Sequence, residues 1–69
     1  MITYIITDLQ GRVVRDSNAA DVNEALTQAE NYCNDLPQDH FCIVIDTNKS
    51  SIKVSTYKIY APYGEAIQI

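Results

Sequence analysis

The chain has 69 residues, of which 46% are hydrophobic and 20% are charged, and its formal net charge at pH 7 is −4. These values are typical of one folded globular domain spanning residues 1–69, and they exclude a disordered chain and a membrane-embedded one. The apolar runs YII and FCIVI are far shorter than the roughly 20 residues of a transmembrane helix, and no secretory leader pattern follows Met1, so we expect a cytoplasmic protein.

The first predicted element is a β-hairpin. In ITYIIT, Ile2, Tyr4 and Ile6 share one face while the residues between them share the other, which is the period of a strand. DLQG then forms the loop, in which Gly11 can adopt the positive φ that a bulged turn needs. RVVRD follows as the second strand.

The segment DVNEALTQAENYCNDLP changes to the period of a helix. Asp21 and Glu24 have the spacing of a capping box, and Asn18 is an alternative cap if the helix starts a turn earlier. The apolar stripe consists of Val22, Ala25, Leu26, Ala29, Cys33 and Leu36. Polar residues, including Gln28, take the opposite side. We predict an amphipathic helix from about Asp21 to Asp35 that lies on a sheet.

A second hairpin follows the helix. FCIVI is typical of a central strand that is covered on both faces, and DTNKSS is a turn cluster before IKVSTYKIY. The apolar residues of this last strand change phase between Val54 and Tyr57, so we predict a β-bulge near Ser55 or Thr56. APYG is a turn, and EAIQI either adds a short edge strand or lies over the sheet.

These elements predict an α+β fold, with an antiparallel sheet of four strands, or five if EAIQI joins it, and one helix on one face, in the order ββαββ. The residues expected to face the helix are Tyr4, Ile6, Phe41, Ile43 and Ile45. Alternation then places on the far face Ile5, Cys42 and Val44, with Tyr57 or Ile59 near them. A face this apolar predicts that another segment covers it. The candidates are the carboxyl-terminal segment and a second protein, including a second copy in a homodimer.

Charge is segregated along the chain. Between positions 16 and 46 every charged residue is acidic: Asp16, Asp21, Glu24, Glu30, Asp35, Asp39 and Asp46. The basic residues all lie in the two hairpins: Arg12, Arg15, Lys49, Lys53 and Lys58. Direct binding of duplex nucleic acid requires a strong basic footprint, so we do not expect it. The acidic helix face either attracts a basic protein surface or simply keeps a small domain soluble.

The carboxyl-terminal stretch TYKIYAPYGEAIQI is rich in tyrosine. Tyr57, Tyr60 and Tyr63 form either an aromatic edge for a protein partner or ordinary edge aromatics with their hydroxyls in water. The candidate partner-binding residues are therefore Glu24, Glu30 and Asp35 on the helix face and Tyr57, Tyr60 and Tyr63 on the aromatic edge.

No catalytic, cofactor or metal motif is found. His40 is the single imidazole, and Gly11 and Gly64 are too few for a phosphate-binding loop. Cys33 and Cys42 are predicted to be reduced and buried, with a structural disulfide as the alternative. They provide no zinc site with His40 unless a dimer doubles the ligands. We predict a protein that is not an enzyme and has no cofactor.

Two resemblances follow from these segments. MITYIITDLQGRVV, then DVNEALTQAENYC, then a hairpin resembles the small phage proteins that inhibit host machinery, namely anti-CRISPR proteins and inhibitors of host RNA polymerase. The resemblance implies a stoichiometric inhibitor that occupies a binding surface of a nucleic-acid-handling complex in the host cytoplasm.

The chain also resembles the amino-terminal domain of HicB-type antitoxins. In that domain a hairpin leads to a D-x-x-E-A-L-x-x-A helix, matched here by Asp21, Glu24, Ala25, Leu26 and Ala29. This second resemblance implies a module that binds a small toxin. Three functions therefore stay open: the inhibitor, the antitoxin-like module, and a domain that only associates with itself.

Overall fold

The computed structural model describes residues 1–47 and 51–69, so part of the predicted DTNKSS turn lies outside the described residues. Within them the elements are β1 (Ile2–Thr7), β2 (Val13–Ala19), α1 (Val22–Cys33), β3 (His40–Asp46), β4 (Lys53–Tyr60) and β5 (Glu65–Gln68). All strand pairs are antiparallel, in the sheet order β2-β1-β3-β4-β5. The α+β class is confirmed. The chain order is ββαβββ rather than ββαββ, because EAIQI contributes β5 at the edge of the sheet.

The turn between β1 and β2 is built around Asp8. Its Oδ1 accepts hydrogen bonds from the backbone N–H groups of Gln10 and Arg12, both at 2.9 Å, and its Oδ2 accepts one from Arg12 Nε at 3.1 Å. The hydrogen bond from the Arg12 backbone is the largest cause that lowers the pKa of Asp8. Gly11 has φ 86°, as predicted for this loop. The hairpin is thus organised by one carboxylate and one glycine.

Strand β2 runs further than RVVRD. It continues to Ala19, so Asn18 pairs with Thr3 and does not cap the helix. The register shifts between Ile6 and Thr7, and this irregularity places a β-bulge in the first hairpin. The predicted cap is confirmed at Asp21, whose Oδ1 accepts from the Glu24 backbone N–H at 2.8 Å.

Helix α1 ends at Cys33, two residues before the predicted end. Asn34 leaves the helical region with ψ 131°, and Asp35 has φ 66°. The backbone N–H of Asp35 donates to the carbonyl oxygen of Pro62 at 2.7 Å. The chain therefore leaves the helix at Asn34 and contacts a distant turn through Asp35.

The core lies between α1 and the sheet. The buried helix residues are Ala25, Ala29 and Cys33, with Val22, Leu26 and Leu36 packed against them, so the predicted apolar stripe is confirmed. The buried sheet residues are Ile2, Tyr4, Ile6, Ala19, Cys42, Val44 and Ile59. The helix side of this core consists mainly of small side chains, which let α1 lie close to the sheet.

The prediction of which β3 side chains face the helix is wrong. Cys42 pairs with Ile6 and Val44 pairs with Tyr4, and directly paired residues point to the same face. Cys42 and Val44 are accordingly buried under α1. The residues that we expected there lie instead on the opposite side of the sheet: Phe41, Ile43 and Ile45. The FCIVI run is apolar on both faces, so pairing with β1, and not the pattern itself, decides the phase.

The bulge predicted near Ser55 or Thr56 is also wrong. The register of β3 with β4 is unbroken from His40 opposite Ile59 to Asp46 opposite Lys53. Val54 is 58% exposed on the side away from α1, whereas Ile59 is buried beneath the helix. The apolar residues of β4 change sides along the strand because both faces of the sheet are apolar, and no bulged residue is required.

The side of the sheet away from α1 is named here the open face. Pairing places on it the side chains of Ile5, Phe41, Ile43, Ile45, Val54 and Ile67. Ile5, Phe41, Ile43 and Ile45 are half-buried among their neighbours, and Val54 and Ile67 are exposed. The carboxyl-terminal segment does not cover this face, because it is itself the edge strand β5.

Candidate protein-binding site

The carboxyl-terminal end of α1 is held against the turn between β4 and β5. Gly64, in that turn, has φ 76°, and a Cβ built on it would lie 2.6 Å from the backbone oxygen of Glu30. The hydrogen bond from Asp35 to Pro62 joins the same two segments. Helix end and turn are therefore in direct backbone contact, and glycine alone fits at position 64.

Glu30 makes a second connection between these segments. Its Oε2 accepts a hydrogen bond from the backbone N–H of Ala66 at 3.0 Å. The side chain is half-buried, and within the described residues it forms no ion pair. Glu30 thus ties the edge strand β5 to the helix while bringing a negative charge that no described basic residue neutralises.

A cleft of about 380 Å³ that is open to solvent lies at this junction, and we name it the helix-end cleft. It is lined by Glu30, Asn31, Asn34, Tyr63, Gly64 and Glu65. Tyr63 is 80% exposed, and none of the lining residues is basic. A carboxylate beside amides and an exposed phenol ring suits the cationic side chain of a lysine or arginine, through a charge-assisted hydrogen bond and a cation–π contact.

The three predicted acidic residues lie at two ends of the helix. Glu30 lines the cleft, and Asp35 follows the helix end at a position whose backbone contacts Pro62. Glu24 lies at the amino-terminal end, where its Oε1 accepts from the Ala20 backbone N–H at 3.3 Å and from Gln28 Nε2 at 3.2 Å. Six residues of helix put Glu24 about 9 Å from Glu30 along the axis. The structure brings Glu30 and Asp35 to the same turn, but not Glu24.

The three predicted tyrosines lie in three different places. Tyr57 is half-buried on the helix side and packs against the core. Tyr60 is on the open face, where the Lys58 Nζ lies 5.3 Å from the centre of its ring. Tyr63 alone lines the helix-end cleft. Tyr57 and Tyr60 are three residues apart on β4, so the alternation of side chains along a strand places them on opposite faces of the sheet. Their roles in binding stay predictions.

A second cleft, of about 370 Å³, lies on the other flank of α1. It is lined by Tyr4, Arg15, Gln28, Asn31 and Tyr32. Arg15 lies over the Tyr32 ring at 5.3 Å from its centre, and the buried Tyr4 hydroxyl donates to Gln28 Oε1 at 2.7 Å. Gln28 is therefore half-buried and bonded to the sheet, not on a purely solvent-facing side as predicted. Four of the five lining residues are thus engaged with one another in pairs.

The two thiols have no features of nucleophiles. Cys33 and Cys42 are free and buried, as predicted. Burial raises the pKa of Cys33, and burial together with the nearby Cys33 raises the pKa of Cys42 to about 11. Thiolates are the reactive form, so both thiols are inert near neutral pH.

His40 is buried at the start of β3. Its Nδ1 lies 2.9 Å from the carbonyl oxygen of Gln38, so this nitrogen carries the proton and donates. In residues 1–47 and 51–69, no group of three or more His, Cys, Asp or Glu residues could hold a metal ion. No helix in the same part of the chain is long and apolar enough to cross a membrane.

Of the residues predicted to bind a partner, Glu30 and Tyr63 line the helix-end cleft, and sequence reasoning did not single out the other residues that line it. Asn31 and Asn34 carry no signal beyond polarity, and Gly64 reads only as a turn residue. Comparison with models of protein families, with curated proteins and with solved structures gave no match for this chain. The chemistry of its own surfaces is therefore the basis for a functional proposal.

Proposed function

We propose that this chain is a small, non-enzymatic protein-binding module that recognises a basic protein surface through the helix-end cleft. The observation that carries the proposal is the convergence of the Glu30 carboxylate and the exposed Tyr63 ring at one cleft without a basic lining residue. Glu30 and Tyr63 come from distant parts of the chain, and backbone contacts hold those parts together.

The two groups have different roles in binding. Affinity at protein interfaces is concentrated in buried aromatic and arginine side chains, so Tyr63 is the anchor that becomes buried against the partner. The charges of Glu30 and Asp35 steer a basic surface toward the cleft and mainly raise the association rate. The surrounding acidic helix layer adds to this field.

The proposed partner is a bacterial complex that handles nucleic acid. A groove that binds nucleic acid is a basic surface rich in lysine and arginine, which are the side chains that the cleft suits. The order of elements resembles that of phage inhibitors of such complexes. The chain acts in this proposal as an inhibitor that blocks the groove by occupying it.

Capture from a bacterial lysate tests the proposal. The tagged chain is compared with Tyr63→Ala and with a charge variant that combines Glu30→Gln and Asp35→Asn. The charge variant removes two negative charges. Glutamine at position 30 still has an oxygen that accepts a hydrogen bond, and asparagine at position 35 tolerates the positive φ. Tyr32→Ala in the second cleft and Asp16→Asn on β2 are the matched controls. Bound proteins are identified by mass spectrometry.

We expect the unsubstituted chain and both controls to retain a basic, nucleic-acid-handling complex, which Tyr63→Ala loses and the charge variant retains in smaller amount. Retention by every variant would contradict a role for the cleft. Recovery of a small basic RNase instead would favour the antitoxin-like function, and recovery of no basic protein would reject the proposal.

A further inference from the structure

The open face carries larger apolar side chains than the fully buried residues of the helix. The helix residues that are fully buried are Ala25, Ala29 and Cys33, whereas the centre of the open face consists of Ile5, Phe41, Ile43 and Ile45. Val54 and Ile67 extend this apolar surface and are 58% and 44% exposed. An apolar surface across the four strands β1, β3, β4 and β5 is unusual on a monomer and is typical of an interface.

Charge divides the two sides of the molecule. Four acidic residues belong to α1 or flank it: Asp21, Glu24, Glu30 and Asp35. On the open face, pairing places Asp16 at one side and Lys58 and Glu65 at the other, and Lys58 Nζ lies 4.0 Å from an Asp39 carboxylate oxygen. The centre of the face has no charged residue, so nothing there repels an identical surface.

A second copy of this chain is the occupant that this charge pattern favours. Two chains that each carry a net charge of −4 repel least when their acidic helix layers are farthest apart. Packing the open faces together puts both helix layers on the outside, with two sheets separated by about 10 Å of side chains. A basic partner would gain more from the helix side than from this neutral face.

The symmetry follows from the position of the edge charges. A two-fold axis parallel to β3 stacks β3 on its copy and places β2 over the other chain's β5. The two Asp16 side chains then lie at opposite edges of the interface. An axis perpendicular to the strands would instead stack β2 on β2 and bring them to the same edge.

The available area fits a dimer of modest affinity. Five strands about 4.8 Å apart, each contributing about five residues at about 3.3 Å, give a face of roughly 400 Å² in outline. Side chains project from this plane and increase its accessible area. The two copies together therefore bury on the order of 1,000 Å², which is at the low end of specific interfaces. Association should therefore depend on protein concentration.

From these observations we propose that the open faces of two copies pack together in a two-fold homodimer, with Ile43 at its centre. The dimer presents two helix-end clefts on its outer sides. This interface shares only Glu65, at its edge, with the lining of the proposed partner site, and it is tested without any partner.

The test measures the mass of the purified chain by sedimentation over a wide range of concentrations, up to millimolar. Thr56 is half-buried on the open face and pairs with Ile43, so Thr56→Lys puts a charge at the centre of the interface. Thr27→Lys, on the exposed surface of α1, makes the same chemical change away from it. Thermal melting verifies that each variant folds.

We expect the unsubstituted chain and Thr27→Lys to become dimeric as concentration rises, and folded Thr56→Lys to have a dissociation constant at least tenfold larger. A second measurement needs no variant: isotope-filtered NOEs in a mixed sample should connect the Ile43 methyl groups of a labelled chain to an unlabelled one. A chain that stays monomeric at millimolar concentration, a dimer without these NOEs, or a folded Thr56→Lys that dimerises normally would each overturn the proposal.

Discussion

Gly64 lies where the helix end and the β4–β5 turn come closest together. A Cβ at this position would be 2.6 Å from Glu30 O, 3.1 Å from Asn34 N and 3.2 Å from Cys33 C, which are all backbone atoms. Gly11 has a similar positive φ of 86°, but nothing lies within 4 Å of its Cβ position. The two glycines therefore separate the cost of an unusual backbone conformation from the cost of a collision.

Gly11→Ala should destabilise the protein by about 1 kcal/mol, the cost of a left-handed conformation. Gly64→Ala should cost clearly more, because backbone atoms that cannot rotate away must also be displaced. Urea unfolding of the two variants measures the difference. Equal losses of stability would mean that the helix end and the turn are not held together as described.

The buried Cys42 thiol should make the folded protein less stable at alkaline pH. Its pKa rises from 9.0 to about 11 in the folded chain, so the unfolded chain loses its proton first and binds fewer protons across this window. The free energy of unfolding should therefore be intact below about pH 9 and fall by as much as about 2 kcal/mol toward pH 11. Unfolding curves of the unsubstituted chain and of Cys42→Ala at several pH values measure this slope. An equally steep slope in Cys42→Ala would assign it to other groups.

At the scale of elements, periodicity predicts α1 and its buried stripe but not where the helix ends. The apolar spacing of three and four is local, and it identified the apolar helix residues that pack on the sheet. The end of the helix depends on the contact of Asp35 with Pro62, which is distant in sequence. The phase of FCIVI likewise depends on pairing with β1. Local patterns cannot contain either of these long-range contacts.

The contact between Tyr4 and Gln28 links the helix to the sheet. Tyr4 is fully buried, and its hydroxyl donates to Gln28 Oε1 at 2.7 Å. Gln28→Ala should cost about 1–3 kcal/mol, because it leaves a buried hydroxyl without a partner. Thr27→Ala, at an exposed position of the same helix, is the control and should change stability little.

A double-mutant cycle isolates this contact. Tyr4→Phe removes the hydroxyl, so Gln28→Ala should cost much less in that background than in the unsubstituted chain. Additive losses of stability in the cycle would mean that the hydrogen bond contributes nothing and that Gln28 lies on the solvent side, as its sequence position predicts.

At the scale of the whole molecule, the surfaces have different chemical character. The helix side is acidic and contains the helix-end cleft, whereas the centre of the open face is apolar and uncharged. The acidic character of the helix and an apolar far face could be predicted from the sequence. The position of Glu30 and Tyr63 in one cleft could not be predicted from the sequence. It requires β5 to pair at the sheet edge and the backbone N–H of Ala66 to donate a hydrogen bond to Glu30, 36 residues away.

The measurement that tests the proposed function most directly is the kinetics of the captured partner binding to the unsubstituted chain and to Tyr63→Ala. Loss of the aromatic anchor should speed dissociation at least tenfold, or about 1.4 kcal/mol, with melting unchanged since the ring is 80% exposed. Tyr32→Ala should leave dissociation unchanged, and Glu30→Gln with Asp35→Asn should slow association and weaken its dependence on salt. Dissociation that is the same for Tyr63→Ala and the unsubstituted chain would contradict the assignment of the helix-end cleft as the binding site.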